Sequence, residues 1–219
     1  MDVYPSIPLP SLRRLPIYYR RLRSALDSGQ SVISSQDLGD AADVPAAQVR
    51  KDLSHVGEFG RPGVGYDVSA LAGCLESFLG LVNDKEAVLV GVGNLGRALV
   101  SYPGFTRYGL RIVALFDADV AKVGREVGEH RILPVSKLAD LARRMHIQMG
   151  IITVPADAAQ EVADQMVAGG ISVIWNFSPT TLRVPEGVLV KNEDLAAELA
   201  TLSHHISLRH AEHGTTMGR

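Results

Sequence analysis

The hydrophobic positions of this 219-residue chain change rhythm once. Up to about residue 81 they recur at helical spacing, and from Ala87 onward short apolar runs of strand length alternate with helical stretches. In the first part, Ile17, Leu22 and Leu26 form a stripe that fades at Gly29, and Pro16 fits a first-turn position, where its missing N–H costs nothing. Ser34 or Ser35 can cap a short helix over Gln36–Ala42. Pro45 opens a third helix, Pro45–Val56, whose inward positions Val49, Leu53 and Val56 leave Gln48, Arg50, Lys51 and Ser54 outward. Helix, short helix, turn and polar-faced helix is the helix-turn-helix order, in which the last helix enters a DNA major groove.

The next stretch, Gly57–Tyr66 (GEFGRPGVGY), holds four glycines and a proline and cannot be a helix. Two readings fit it: a tight ribbon presenting Arg61 at its tip, the wing of a winged helix, or a plain flexible loop. Asp67 then caps a helix that runs to about Leu81, with Val68, Leu71, Leu75, Phe78 and Leu79 as its apolar stripe.

From Ala87 the strands predicted are Ala87–Gly91, Leu110–Phe116, Met149–Val154 and Ile171–Trp175, with smaller ones at His130–Leu133 and Gly187–Val190. Strands alternating with helices imply a parallel, Rossmann-like sheet. The expected fold class is therefore an α/β Rossmann-like domain preceded by an N-terminal winged-helix (α+β) domain. The expected layout is 1–82 for the winged helix, 83–191 for the Rossmann-like domain, a single amphipathic helix over 192–209 (Leu195, Leu199, Leu202, Ile206) and a polar tail over 210–219.

Composition narrows the class. A chain with 46% hydrophobic and 21% charged residues is neither disordered nor fibrous. One cysteine, Cys74, excludes a disulfide framework or a cysteine-built zinc site within the chain and favours a cytoplasmic location. No apolar run approaches the roughly 20 residues of a membrane span, and the first residues lack a signal-peptide pattern. The net charge of −2 is unevenly spread: Arg13, Arg14, Arg20, Arg21 and Arg23 lie in a window free of acidic residues. That cluster reads either as a phosphate-facing field or as a solvated helix face.

The sharpest motif is Gly91-Val92-Gly93-Asn94-Leu95-Gly96. A lone GxGxxG is weak, but this one follows a strand, opens a helix (Leu95–Val100), and precedes an acidic residue, Asp117, that ends the next strand 21 residues after Gly96. Gly91 permits the tight turn, Gly93 lets backbone approach a pyrophosphate, and Gly96 allows close packing of helix on strand. The helix N-terminus faces the phosphates with its partial positive charge. Asp117 suits ribose hydroxyls and repels a 2′-phosphate, which favours NAD(H) over NADP(H), with coenzyme A among the other nucleotides the fold can hold.

A dehydrogenase would need a proton-handling group near the nicotinamide. The ends of the later strands carry Thr153-Val154-Pro155 and Asn176-Phe177-Ser178-Pro179, none an obvious general base. His130 and His146 precede strands, and His204, His205, His210 and His213 lie in the C-terminal helix and tail without the carboxylate or cysteine framework of a metal site. No catalytic residue and no metal are expected. Two classes of function remain: a nucleotide sensor attached to a DNA-binding module, or a small NAD-dependent oxidoreductase or ligase subunit whose N-terminal helices only dimerise.

The runs Gln48–Ser54 (QVRKDLS), Gly63-Val64-Gly65-Tyr66, Gly91–Phe105 (GVGNLGRALVSYPGF), Asn176-Phe177 with Pro179, and Asn192-Glu193-Asp194 resemble the Rex family of redox-sensing transcriptional repressors. The resemblance extends from about Leu15 to Ile206. It implies a winged helix that binds operator DNA, a Rossmann domain that binds NADH or NAD⁺, and a C-terminal helix exchanged between the protomers of a homodimer. Reduced cofactor would close the dimer and release the DNA. By position, Gln48, Arg50, Lys51, Ser54 and His55 would belong to the recognition helix and its end, and Arg61 to the wing. Gly91, Val92, Gly93, Asn94, Leu95, Gly96, Asp117, Thr153, Val154, Pro155, Asn176 and Phe177 would line the cofactor, with Tyr102 near the nicotinamide. Asp194 matches an aspartate that changes partner between cofactor states, and Arg20 a helix-one arginine that can pair with it. Two positions depart from the family pattern: Asn94, where a basic residue occurs in some members, and Leu195, where an aromatic can pack near the nicotinamide.

Overall fold

A computed structural model describes residues 7–60, 63–82 and 84–194 and, in the C-terminal segment, residues 196, 197, 199, 200, 202 and 203. Among the expected features, Arg61, Leu195, Ile206, the histidines from His204 onward and the tail 210–219 lie outside the described residues. The chain divides into two compact units, Met1–Asn83 and Asp84–Arg219.

In the first unit the order is α1 (Leu9–Asp27), β1 (Val32–Ile33), α2 (Ser35–Ala42), α3 (Ala46–Leu53), β2 (Tyr66–Asp67) and α4 (Val68–Phe78). The first helix corrects the sequence expectation. It starts at Leu9, after an N-cap at Pro8, and carries Pro16 in its interior. A proline there forgoes a backbone bond and crowds the preceding turn, a cost of about 3 kcal/mol. Burial of Leu15, Tyr18, Tyr19, Leu22 and Ala25 offsets it. The buried face is thus turned from the expected stripe: Leu22 is fully buried, whereas Ile17 and Leu26 are only half-buried.

Helix α2 is capped by Ser34, whose hydroxyl accepts from the Asp37 N–H while the Asp37 carboxylate accepts from the Ser34 N–H, a full capping box. Asp67 caps α4 by accepting from the Ala70 N–H at 2.7 Å. The glycine-rich segment makes no ladder of its own among the described residues. Its last residues, Tyr66–Asp67, instead pair antiparallel with Val32–Ile33 ahead of α2. Gly65, at φ +105°, makes this possible, because a Cβ there would strike the Ile33 carbonyl.

The second unit is a seven-stranded sheet. Its strands are β3 (Lys85–Val90), β4 (Leu110–Asp117), β5 (Glu126–Val127), β6 (His130–Pro134), β7 (Met149–Ile152), β8 (Val173–Asn176) and β9 (Leu189–Asn192), in spatial order β5-β6-β4-β3-β7-β8-β9. All neighbours are parallel except the short β5, which makes a hairpin with β6 that the sequence pattern did not indicate. From β6 to β9 this is the doubly wound order 3-2-1-4-5-6, with its switch point between β3 and β7. Because side chains alternate along a strand, Val88 and Val90 pack under α6 (Leu138–Arg144) and α7 (Ala156–Ala168). Ala87 and Leu89 face the other side, with α5 (Asn94–Val100), Phe105, Trp175 and Phe177.

Candidate nucleotide site and nucleic-acid interface

The glycine loop lies at the switch point, joined to the loop after β7. The Gly91 N–H donates to the Phe116 carbonyl at 2.8 Å, the Thr153 N–H donates to the Val90 carbonyl at 2.9 Å, and Thr153 Oγ1 donates to the Gly91 carbonyl at 2.7 Å. The three glycines do different work. Gly91 sits at φ +101°, and a Cβ on it would press on the Thr153 carbonyl at 2.7 Å. A Cβ on Gly96 would overlap the Gly91 carbonyl. At Gly93 the same atom would meet nothing within 4 Å, so the space beside it is open for a phosphate. Asn94 begins α5, and Leu95 is half-buried beside it.

Asp117 closes the site at the end of β4 and is already bonded. Its Oδ2 accepts from the Val92 N–H at 2.8 Å and from Lys122 Nζ at 3.0 Å, and its Oδ1 accepts from the Asp119 N–H at 2.9 Å. Burial pushes this carboxyl's pKa up, but the bonds from Asp119, Lys122 and Val92 outweigh it and hold it below the usual carboxylate range. Lys122, five residues after Asp117, was not singled out by sequence; the signal for it was a cation just past the acidic end of a strand.

At the neighbouring strand ends, Asn176 is fully buried and its side chain is committed to the protein. Nδ2 donates to the carbonyls of Ser178 and Thr180 and to Asn192 Oδ1, and Oδ1 accepts from the Ser178 N–H. Its part is to hold the loop that carries Phe177, with Ser178 Oγ tied to the Val154 carbonyl at 2.6 Å. Pro155 is exposed at the N-cap of α7. An aromatic chain links the far residues: Tyr102 meets Phe105 edge-on at 5.1 Å, Phe105 meets Trp175 at 5.6 Å, and Trp175 meets Phe177 at 5.0 Å. Tyr102 is 57% exposed. Glu193, also missed by sequence, accepts from Trp175 Nε1 and pairs with Lys191.

Asp194 caps the C-terminal helical segment, its Oδ1 accepting from the N–H groups of Ala196 and Ala197 at 3.0 Å. Arg20 is exposed on α1, in the other unit.

The candidate nucleic-acid side is α3. Arg50, Lys51 and Ser54 are exposed as the spacing predicts, and Arg50 Nη1 donates to Ser35 Oγ on α2 at 3.1 Å. A cleft of about 910 Å³ runs past Arg50 and Ser54, lined also by Ser34, Ser35, Phe59 and Tyr66 among others. Two of the expected residues are less exposed. Gln48 is half-buried and donates through Nε2 to Asp52 Oδ1 at 2.8 Å, because Asp52, fully buried, needs donors around it. His55 is half-buried, and its Nε2 has no hydrogen-bond partner among the described residues. Arg14, part of the basic cluster, is likewise not a free surface charge: its Nε and Nη2 grip Asp52 at 2.6 and 2.8 Å.

A family model for a putative DNA-binding protein N-terminus matches residues 6–54, and one for a CoA binding domain matches residues 82–180. A redox-sensing transcriptional repressor Rex of Carboxydothermus hydrogenoformans is 43% identical over 91% of this chain and 96% of its own. The Rex of Chloroflexus aurantiacus is 45% identical over 92% and 95%. The chain belongs to the Rex family. Solved Rex structures have the same fold. RSP in complex with β-NAD⁺ and operator DNA matches with a TM-score of 0.89 at 33% identity, covering 98% of this chain and 99% of that one. RSP with β-NADH matches at 0.85 and 32%, covering 96% and 99%. The Rex relatives are named as transcriptional repressors, not enzymes. Among the described residues no cluster of metal-ligating side chains occurs, and no helix is long and apolar enough to cross a membrane.

Proposed function

We propose that this protein is a cytoplasmic homodimeric repressor that holds operator DNA through α3 and releases it when NADH binds at the Gly91 loop. The observation that carries this reading is the glycine loop at a 3-2-1-4-5-6 switch point, closed by Asp117, in a chain whose other unit is a helix-turn-helix. The open space beside Gly93 suits the pyrophosphate, and Asp117 suits the adenine ribose. The family model speaks of coenzyme A, whereas the solved Rex relatives hold NAD⁺ and NADH, and a 2′,3′-diol for Asp117 distinguishes these dinucleotides from a 3′-phosphorylated coenzyme.

The oxidised nicotinamide ring is cationic and the reduced ring neutral. A pocket formed by Phe177, Pro155 and a helix exchanged from the partner subunit would be apolar, and it would disfavour the cation. A preference of about a thousandfold requires only about 4 kcal/mol. For it to move DNA affinity, the cofactor must bind two dimer arrangements unequally. Asp194 reports the difference, pairing with Tyr102 in one state and Arg20 in the other. Two features favour this assignment: the exposed Tyr102 hydroxyl stands at the end of the aromatic chain from Phe177, and Asp194 starts the helix that would be exchanged.

The test is a titration of operator DNA with NADH and with NAD⁺ at one fixed salt concentration, since phosphate contacts make any affinity salt-dependent. NADH is expected to release the DNA at concentrations where NAD⁺ does not. Equal DNA affinity with and without both cofactors would overturn the reading.

A further inference from the structure

Gln48 stands on α3 beside the exposed Arg50 and Lys51, and its amide is not free to turn. Asp52, one turn further along the same helix, faces Gln48 Nε2 at 2.8 Å. A carboxylate only accepts hydrogen bonds, so the Gln48 group facing it must be the NH₂. Turning the amide over would set Oε1 against a carboxylate oxygen and lose a charge-assisted bond, which favours the observed orientation by roughly tenfold or more.

Asp52 cannot turn to follow. Its Oδ2 accepts from Arg14 Nε at 2.6 Å and from the Tyr18 hydroxyl at 2.7 Å, and its Oδ1 accepts from Arg14 Nη2 at 2.8 Å besides Gln48. Arg14 and Tyr18 both belong to α1. The bidentate fork of Arg14 fixes the plane of the carboxylate, and the carboxylate fixes the amide. The other amide atom of Gln48, Oε1, can then only accept, and this orientation is set through Asp52 by residues 34 and 38 positions before that aspartate.

We propose that Asp52 is a positioning residue for base reading: it holds the Gln48 amide with Oε1 as the acceptor presented to the DNA major groove, and so selects a base carrying an amino group at one operator position. In the major groove the donors are the adenine N6 and cytosine N4 amino groups, whereas guanine O6 and thymine O4 accept. An amide free to flip serves either class; one held in place serves only the first. The proposal rests on the DNA-binding reading above and adds to it a direction for one side chain.

The experiment measures affinities of the full-length protein for an operator duplex and for a set of duplexes in which each base pair is replaced in turn by the other three. The proteins are wild type, Gln48→Met, Asp52→Asn and Arg14→Lys, and each duplex is measured at two salt concentrations. In wild type, one position is expected to prefer adenine or cytosine on one strand by about tenfold or more over the accepting bases. Gln48→Met should remove that preference at that position alone. Asp52→Asn, whose neutral amide can meet Gln48 in either orientation, should lower the same preference at least fivefold and leave the salt slope unchanged, because no cation that faces a phosphate is altered. If circular dichroism shows Asp52→Asn to be unfolded, Arg14→Lys carries the test, since it keeps a cation on Asp52 but loses the fork, and the same position should weaken. Two results would overturn the proposal: base preferences unchanged in Gln48→Met, or an Asp52 or Arg14 variant that binds all duplexes more weakly by one common factor. Failure of wild type to discriminate the operator from any other duplex would overturn the DNA-binding reading itself, a distinct result.

Discussion

Asp117 Oδ2 accepts from the Val92 N–H at 2.8 Å, so the carboxylate that ends β4 anchors the glycine loop. Lys122 sits on the same oxygen at 3.0 Å, where it would compete with the ribose proposed to bind there. Asp117→Ala removes both the loop anchor and the proposed ribose acceptor. Charge-assisted bonds of this kind contribute about 1.5–3 kcal/mol. NADH affinity, followed by calorimetric titration, is therefore expected to fall about 10- to 100-fold, while NADPH affinity falls less because the carboxylate no longer repels a 2′-phosphate.

The glycines of the loop separate into two kinds under substitution. Gly96→Ala drives a methyl group into the Gly91 carbonyl, with Thr153 Oγ1 at 3.1 Å on another side, and should cost about 1–3 kcal/mol of stability. Gly93→Ala, at φ −84° and with open space around it, should change the stability of the cofactor-free protein by no more than about 0.5 kcal/mol and yet weaken NADH binding at least tenfold. Thermal unfolding with and without NADH separates the two. A cofactor affinity unaltered in Gly93→Ala would contradict the placement of the pyrophosphate there.

Acid stability should report the buried carboxylate of the first unit. Burial pushes the Asp52 carboxyl up, but hydrogen bonds from Arg14, Tyr18, Gln48 and Ser11 outweigh it and hold its pKa well below the usual range. The folded state then binds the proton less readily than the unfolded chain. The resulting stabilisation is complete above the unfolded value of about 4 and is lost as pH falls below it towards the folded value. Asp52→Asn should lower stability near neutral pH by about 3 kcal/mol, in the range for breaking one side of a buried ion pair. The gap to wild type in urea unfolding should narrow between pH 5 and pH 3; a gap that widens would refute the assignment.

Arg50 and Lys51 are exposed on α3, and replacing both by alanine should weaken operator binding about 10- to 100-fold at moderate salt. The slope of log affinity against log salt should shrink by up to about two, one for each phosphate that a cation no longer neutralises. Fluorescence anisotropy with labelled operator measures both. An unaltered slope would mean that neither residue touches a phosphate.

Asp194 caps the C-terminal helical segment and is the proposed switch, and its variants can part the two roles. Asp194→Ala removes both the charge and the helix cap, which is worth about 1 kcal/mol. Asp194→Ser retains a capping oxygen and loses only the charge. If the charge is what passes from Tyr102 to Arg20, both variants should fail to release operator at NADH concentrations that empty wild type. Normal release by Asp194→Ser, with failure by Asp194→Ala, would assign the residue to the helix cap alone.

Sequence alone determined what is local in this protein. The change of rhythm near residue 81, the caps at Ser34 and Asp67, the outward Arg50 and Lys51, and the strand, glycine loop and helix around Gly91 all follow from spacings of two to four residues, which set which side of an element a residue occupies. The tertiary structure decided whatever depends on residues distant in the chain. Pro16 lies inside a helix because Leu15, Tyr18 and Leu22 are buried around it, a fact no propensity contains. Tyr66–Asp67 became the partner of Val32–Ile33 through Gly65, and the strand order β5-β6-β4-β3-β7-β8-β9 was fixed by long-range pairing. Asp52 had the spacing of an ordinary polar residue beside the outward Arg50 and Lys51. Only the approach of Arg14, 38 residues earlier, made it a buried anion that orients Gln48, because a carboxylate taken out of water must find its donors wherever the fold brings them.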